Sequence, residues 1–367
     1  MDNVITNKPY LDFLRFSLHE DAEVPEPVSH INWDKLLDFG RRQSIRGVLL
    51  HGIKKLPADA PHPAVPQLMQ WLQTGMTIKA ANVQVYRDAV TLTRTFHEET
   101  GGESVVMKGQ ANALRYPDPY IREPGDIDLW TTASTKEVIR WARKHNPQAG
   151  IEYHHIDLEG LKTPAEVHYV PSFMGNLFYE WRMRRWFQKE KPKQFGNKAV
   201  LPDGLGEIGV LEPSFDCVFQ LSHMMHHFFF EGIGFRQVID FYYLLSAMPK
   251  DDGSIMRTVR WLNMRKFTGA VMYVLRNVLG MPEDKLLCKP NEKIGKMFLH
   301  EILSAGNFGY HDSRYNFRGL SRWNQYKLET WRNLHFAKEF PAEVVFGRPI
   351  ARFWHAAYKL WLSSSAG

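Results

Sequence analysis

The segment Asp126-Ile127-Asp128 sets two carboxylates at spacing two. On a strand that spacing turns both acids to one face and sends Ile127 and Leu129 to the other. Magnesium favours a couple of carboxylates completed by substrate phosphates over an all-protein cage, so such a pair suits a nucleotide-metal complex. Glu166-Val167-His168 repeats the alternation forty residues on, with Glu166 and His168 on one face. Set beside the first strand, it brings a third carboxylate. Three acids around two cations can hold a triphosphate and lower the pKa of an attacking hydroxyl, which leaves an in-line displacement at the α-phosphorus.

Upstream, the apolar run Val105-Val106-Met107 ends at Lys108-Gly109-Gln110. Gly109 is either a turn that lets backbone approach a phosphate or a plain turn glycine. Lys108 either reaches a phosphate as a point charge or is a solvated strand-end lysine. Arg122, just before the acids, either clamps a phosphate or pairs with Glu123 or Asp118.

The elements that must position these groups are legible in outline. Apolar residues at Trp33, Leu36, Leu37 and Phe39 predict a helix over 33–42, followed by a proline-rich loop with Pro57, Pro61, Pro63 and Pro66. A long helix is expected over 65–99, stopped by Gly101-Gly102. The texture then changes to strand 104–107, a short helix over 110–116 and strand 126–131. Ser134 and Glu137 form a capping-box pattern that opens a helix to about His145. Strand-like runs 151–158 and 165–170 follow, joined by a hairpin-like turn at Glu159 to Pro164. From Pro213 helical spacing returns, with helices expected over 235–245, 255–279, 292–304 and 322–339. The domain reading is a helical region 1–102, an α/β core 103–210 and a helical domain 211–367.

Other features carry less chemistry. His223 and His227 stand at spacing four on a predicted helix. No third ligand follows by spacing and no Glu occupies a His-Glu-x-x-His position, so they read as polar-face or substrate-pocket histidines, not zinc ligands. Arg236 and Asp240, also at spacing four, are either a helix ion pair or a contact to an acceptor or phosphate. The basic and aromatic stretch 181–198 has the interleaving that suits single-stranded nucleic acid, but a solvated helix with a lysine-rich loop is the favoured reading. The aromatic segment 353–361 reads as a helix packed on its own protein.

With 367 residues, 44% hydrophobic content and 13% aromatic content, the chain is too core-rich for a disordered protein. Two cysteines, Cys217 and Cys288, argue against a disulfide scaffold. A net charge of +6 favours anionic partners. No secretory signal and no membrane span are evident, and the expected location is cytoplasmic.

The combination of Lys108-Gly109, Arg122, Asp126-Ile127-Asp128-Leu129 and Glu166-Val167-His168 resembles the nucleotidyltransferase superfamily typified by DNA polymerase β and the aminoglycoside nucleotidyltransferases. It is more closely similar to an uncharacterised bacterial nucleotidyltransferase family, and the likeness extends to Gly232-Ile233-Gly234-Phe235-Arg236-Gln237 with Asp240. It covers roughly Val105 to Leu245. One departure is plain: the superfamily usually has Gly-Ser or Gly-Gly after the first strand, whereas this chain has Gly109-Gln110. The phosphate contact then falls to backbone N–H groups, Lys108 or Gln110.

The resemblance implies an α+β fold, a small mixed-sheet core with predominantly helical flanks. It implies transfer of a nucleoside monophosphate from an NTP, ATP in the first instance, to an unidentified acceptor hydroxyl, with Mg2+ or Mn2+ and release of pyrophosphate. Asp126, Asp128 and Glu166 would bind metal and act catalytically, and Lys108, Gly109, Gln110 and Arg122 would handle phosphates. His168, His223, His227, Arg236 and Asp240 would line an acceptor pocket. The alternative is a non-catalytic nucleotide- or nucleic-acid-binding module on the same fold.

Overall fold

In the computed structural model, which describes residues 2–315 and 319–365, the chain is helical apart from two small sheets. Helices α1 (Asp2–Leu18), α2 (Trp33–Gln43), α3 (Arg46–Lys54) and α4 (Val65–Thr100) come first. Then follow β1 (Ser104–Val106), α5 (Gln110–Ala113), β2 (Ile127–Thr131), α6 (Thr135–His145), β3 (His155–Leu158) and β4 (Ala165–His168). Helix α7 (Leu177–Glu190), strands β5 (Lys198–Val200) and β6 (Glu207–Gly209), and helix α8 (Pro213–Phe230) complete the middle. Helices α9 (Phe235–Ala247), α10 (Ser254–Trp261), α11 (Arg265–Asn277), α12 (Glu292–Ala305), α13 (Arg322–Asn333), α14 (Pro341–Val344) and α15 (Arg348–Ser365) follow. The class is α+β, as the resemblance implied.

Two compact units are each assembled from separated stretches of chain. The first takes its described residues from Met1–Ala81, Arg115–Glu123 and His227–Arg318, and is all helix and loop. Helix α2 starts where the Asn32 side chain accepts a hydrogen bond from Lys35 N at 3.0 Å, and α12 where Asn291 does the same for Ile294 N at 3.1 Å. Apolar stripes from α1, α3, α9, α11 and α12 supply fully buried residues such as Leu14, Leu49, Ile239, Val271 and Ile302. The single helix expected over 255–279 is broken into α10 and α11, because Asn263 takes a left-handed backbone at φ 59° between them. The segment 115–123 lies tight on α3, since a Cβ at Gly47 would stand 2.1 Å from the Ile121 carbonyl oxygen. Glu123 ties it down by accepting from Arg46 N at 2.6 Å and Arg46 Nη2 at 2.7 Å.

The second unit, with described residues from Asn82–Leu114, Pro124–His226 and Gly319–Gly367, contains both sheets. Its four strands lie in the order β1-β2-β4-β3, with β2 and β4 parallel and the outer pairs antiparallel. The mixed sheet is the one the strand and helix order suggested. Ile127, Leu129, Val167 and Ile156 occupy one face and are fully buried. Helix α6 begins with the expected capping box: Glu137 N donates to Ser134 Oγ at 3.4 Å, and Ser134 N donates to Glu137 Oε2 at 2.8 Å. The β5-β6 hairpin was not anticipated. Two three-residue strands with an exposed lysine and glutamate leave too little alternation to register.

Candidate active site on the mixed sheet

Register builds the site. Asp128 on β2 pairs with Glu166 on β4, and Glu166 pairs in turn with Asp157 on β3. One step along, Trp130, His168 and His155 form the next row. Residues opposite one another, and those two apart, share a face, so all six side chains stand on the side away from Ile127 and Leu129. Trp130 is sealed under a stacked Phe215 at 5.6 Å, which leaves the titratable groups to Asp128, Glu166 and Asp157 in one row and His168 and His155 in the other.

Asp128 is almost wholly buried, and both its oxygens face cations. Lys108 Nζ lies 3.1 Å from Oδ2, and His168 Nε2 lies 3.0 Å from Oδ1. The same His168 nitrogen is 3.3 Å from Glu166 Oε2. Burial opposes charge at His168, yet the hydrogen bonds to Asp128 and Glu166 outweigh it and hold the imidazole at about 9. Burial likewise pushes against Lys108, but the charges of Asp128, Asp126 and Glu166 raise it above the ordinary lysine value. Asp128 and Glu166 are both held below the usual carboxylate range against burial, Asp128 chiefly by Lys108 and Glu166 by His168. His154 goes the other way: burial, then the neighbouring positive charges, keep it well below its ordinary value and neutral.

The turn that delivers Lys108 is fixed by backbone. Met107 N donates to the Asp128 carbonyl at 3.0 Å, which extends the β1-β2 pairing to the residue before Lys108. Gly109 then adopts φ 62° and ψ −110°, a conformation closed to side-chain-bearing residues in practice. Its vacant Cβ position faces the Asp126 carbonyl oxygen at 3.4 Å. Gln110 is wholly buried, and neither its amide oxygen nor its amide nitrogen has a hydrogen-bond partner.

The donor set fits a divalent ion. One atom from each of Asp128, Glu166 and His168 falls within 4.8 Å of the others. Two buried anionic oxygens already attract positive charge, here from Lys108 and His168, and Asp126 contributes enough field to raise Lys108. Hard carboxylate oxygens are the ligands that Mg2+ and Mn2+ take.

The other residues singled out from the sequence make contacts within their own units. In the first unit Arg122 donates from Nε and Nη2 to Asp240 Oδ1 and Oδ2, each at 2.8 Å, and Tyr116 donates to Oδ1 at 2.7 Å. Arg122 thus takes the carboxylate of Asp240, and its Nη1 also donates to the Glu123 carbonyl oxygen at 3.2 Å. Arg236 also donates to that carbonyl, at 3.4 Å. On α8, His223 lies 5.7 Å from the Phe219 ring in the second unit, and His227 Nδ1 meets Glu231 Oε2 at 2.9 Å in the first. His154 and His155 were not singled out. The only signal was their placement at the start of a strand that turns out to flank Glu-x-His.

The sheet thus sets Asp128 on a central strand with Asp126 just before it, Glu166 on the next strand and a lysine-glycine turn leading off β1, the features on which the resemblance to nucleotidyltransferases rests. The chain belongs to the family described as uncharacterised nucleotidyltransferase, whose model matches residues 29–280. No curated protein matches it. Among solved structures, an antigenic nucleotidyltransferase-like protein from Paracoccidioides brasiliensis is similar at 13% identity and a TM-score of 0.32, over 53% of this chain and 92% of that one. Among the described residues, no helix is long and apolar enough to cross a membrane.

Proposed function

We propose that this chain moves a nucleoside monophosphate from an NTP, ATP in the first instance, to an acceptor hydroxyl and releases pyrophosphate. The observation that carries this reading is the side-by-side register of Asp128 and Glu166, with Lys108 reaching into the pair. Asp126, Asp128 and Glu166 would hold Mg2+ or Mn2+, which when bound would neutralise the triphosphate and stabilise the attacking and leaving oxygens. Lys108, released from Asp128, carries a charge suited to the triphosphate, and the Gly109 turn with the unpartnered Gln110 amide supplies further contacts to it.

Glu166, less buried than Asp128, is the group we assign to accept the acceptor's proton. The acceptor oxygen bonds to the α-phosphorus as the bond from that phosphorus to the bridging oxygen breaks, and pyrophosphate leaves with that electron pair. Asp240 is engaged by Arg122, so a phosphate contact by Arg122 would have to compete with a bidentate carboxylate. His223, half-buried on α8 within the second unit, is assigned with His168 to the acceptor side.

The test is pyrophosphate release from each of the four NTPs with Mg2+ or Mn2+ and a panel of hydroxyl acceptors, using wild type, Asp126→Ala and Asp128→Ala. Metal-dependent release by wild type that both variants lose supports transfer. Release that survives both substitutions overturns it, and nucleotide binding without turnover on any acceptor points to the binding module.

A further inference from the structure

Two imidazoles beside the acids are not used by the proposed transfer. His154 and His155 enter β3 at the level of His168, the register partner of His155. Their donor atoms form a chain of short spacings. His154 Nε2 is 3.2 Å from His155 Nδ1, that nitrogen is 3.4 Å from Glu166 Oε2, and Glu166 Oε2 is 3.3 Å from His168 Nε2. One ring nitrogen from each of the three histidines lies within 4.8 Å of the others.

Four ligands placed tetrahedrally at zinc-nitrogen distances stand about 3.3 Å from one another. The three consecutive spacings match the edges of such a polyhedron. We propose that His154, His155 and His168, with Glu166 as fourth ligand, form a site for a borderline divalent ion of the zinc class. Three imidazoles and one carboxylate select Zn2+ or Co2+ and are poor ligands for Mg2+, whose preference is oxygen. The site needs no nucleotide, but it draws Glu166 and His168 from beside Asp128, so an ion held here would compete with the transfer reaction for its proton acceptor.

The second ring nitrogens of His154 and His168, both Nδ1, are buried without a hydrogen-bond partner. No outer partner locks these rings in the tautomer a metal requires, and His168 must give up the Nε2 proton it shares with Asp128 and Glu166, so binding releases a proton and the affinity falls below that of a structural zinc centre. An ion held here would join β3 to β4 through His154 and His155 on one side and Glu166 and His168 on the other.

The experiment is calorimetric titration of the chelator-treated full-length protein with Zn2+ in saturating Mg2+, with Co2+ absorption as the report of tetrahedral nitrogen ligation. One ion per chain is expected, together with a raised Tm. Loss of an outer-shell partner alone costs metal sites about ten-fold or more, so His155→Gln should weaken Zn2+ at least that much. His154→Gln is the independent second variant, and circular dichroism of the metal-free forms shows that each is folded. Asp126→Asn, which removes an acid but no imidazole, should leave Zn2+ binding unchanged.

Absence of binding, or folded His155→Gln and His154→Gln proteins that bind as wild type does, would overturn the site. Displacement of Zn2+ by Mg2+, with binding lost in Asp126→Asn, would place the ion among the acids instead. Failure of nucleotidyl transfer would appear in pyrophosphate release and leave these titrations untouched.

Discussion

His168 Nε2 stands between Asp128 and Glu166, 3.0 Å from one carboxylate and 3.3 Å from the other, on strands whose register sets the two acids side by side. This arrangement makes one imidazole responsible for much of the charge balance of a buried anionic pair. Its pKa of about 9 lies above the unfolded value near 6.5, so the folded state binds the proton more tightly. The stability it contributes is fully present below about pH 6.5 and is lost as pH rises through about 9. Thermal melts of wild type and His168→Gln across pH 6 to 10 should show a gap that narrows at the alkaline end. A gap that is constant across that range would refute the charge-balance role.

Asp128→Asn removes the carboxylate on which Lys108 and His168 converge. Breaking a buried pair by deleting one partner leaves the other charge uncompensated and costs about 3 kcal/mol. Urea unfolding should therefore show a clear loss for Asp128→Asn. Asp128→Asn together with Lys108→Met should recover part of it, because the stranded ammonium is gone. Nucleotidyl transfer should fall at least about 100-fold in both, which separates the chemical role from the structural one.

Much of this site was legible in the sequence, and the reason is local. Alternation along β2 sets Asp128 on the face opposite Ile127 and Leu129 without any tertiary information, although the strand begins one residue after Asp126, and the Ser134 and Glu137 cap is satisfied within a single turn. What a sequence does not display is which strand lies beside which. The pairing of Asp128 with Glu166 depends on a parallel contact made around α6, and it appears only when the sheet order is known. The recruitment of His154 and His155 has the same cause. Arg122 and Asp240 are 118 residues apart, so no periodicity links them, and the spacing-four pattern that drew attention to Asp240 gave no hint of its bonds to Arg122 and Tyr116.

The Arg122 and Asp240 pair yields its own test. Both side chains are about 5% exposed and bonded through two parallel contacts at 2.8 Å. Asp240→Ala should cost about 3 to 5 kcal/mol in urea unfolding, since it strands a buried guanidinium. Arg122→Met with Asp240→Leu should regain most of that. If the regained protein keeps its KM for NTP, Arg122 serves the fold alone; a raised KM at restored stability would assign it to phosphate binding.

Gly109 isolates the backbone's contribution. Its φ of 62° and ψ of −110° place it where a Cβ is strained whatever the space around it, while the nearest atom to that Cβ, the Asp126 carbonyl oxygen at 3.4 Å, is at ordinary contact distance. The penalty for Gly109→Ala is therefore conformational, about 1 to 3 kcal/mol, and relaxing it means rotating the peptide that follows Lys108. Gly101 also has a positive φ, at 70°, but lies at the end of α4 with nothing within 4 Å of its Cβ position. Gly101→Ala should thus lower Tm modestly and leave transfer intact. Gly109→Ala should lower Tm and reduce transfer beyond what its stability loss explains, because Lys108 and Gln110 both leave this turn. Equal activity in the two variants at a temperature where both are folded would show that the turn serves the fold and not the phosphate site.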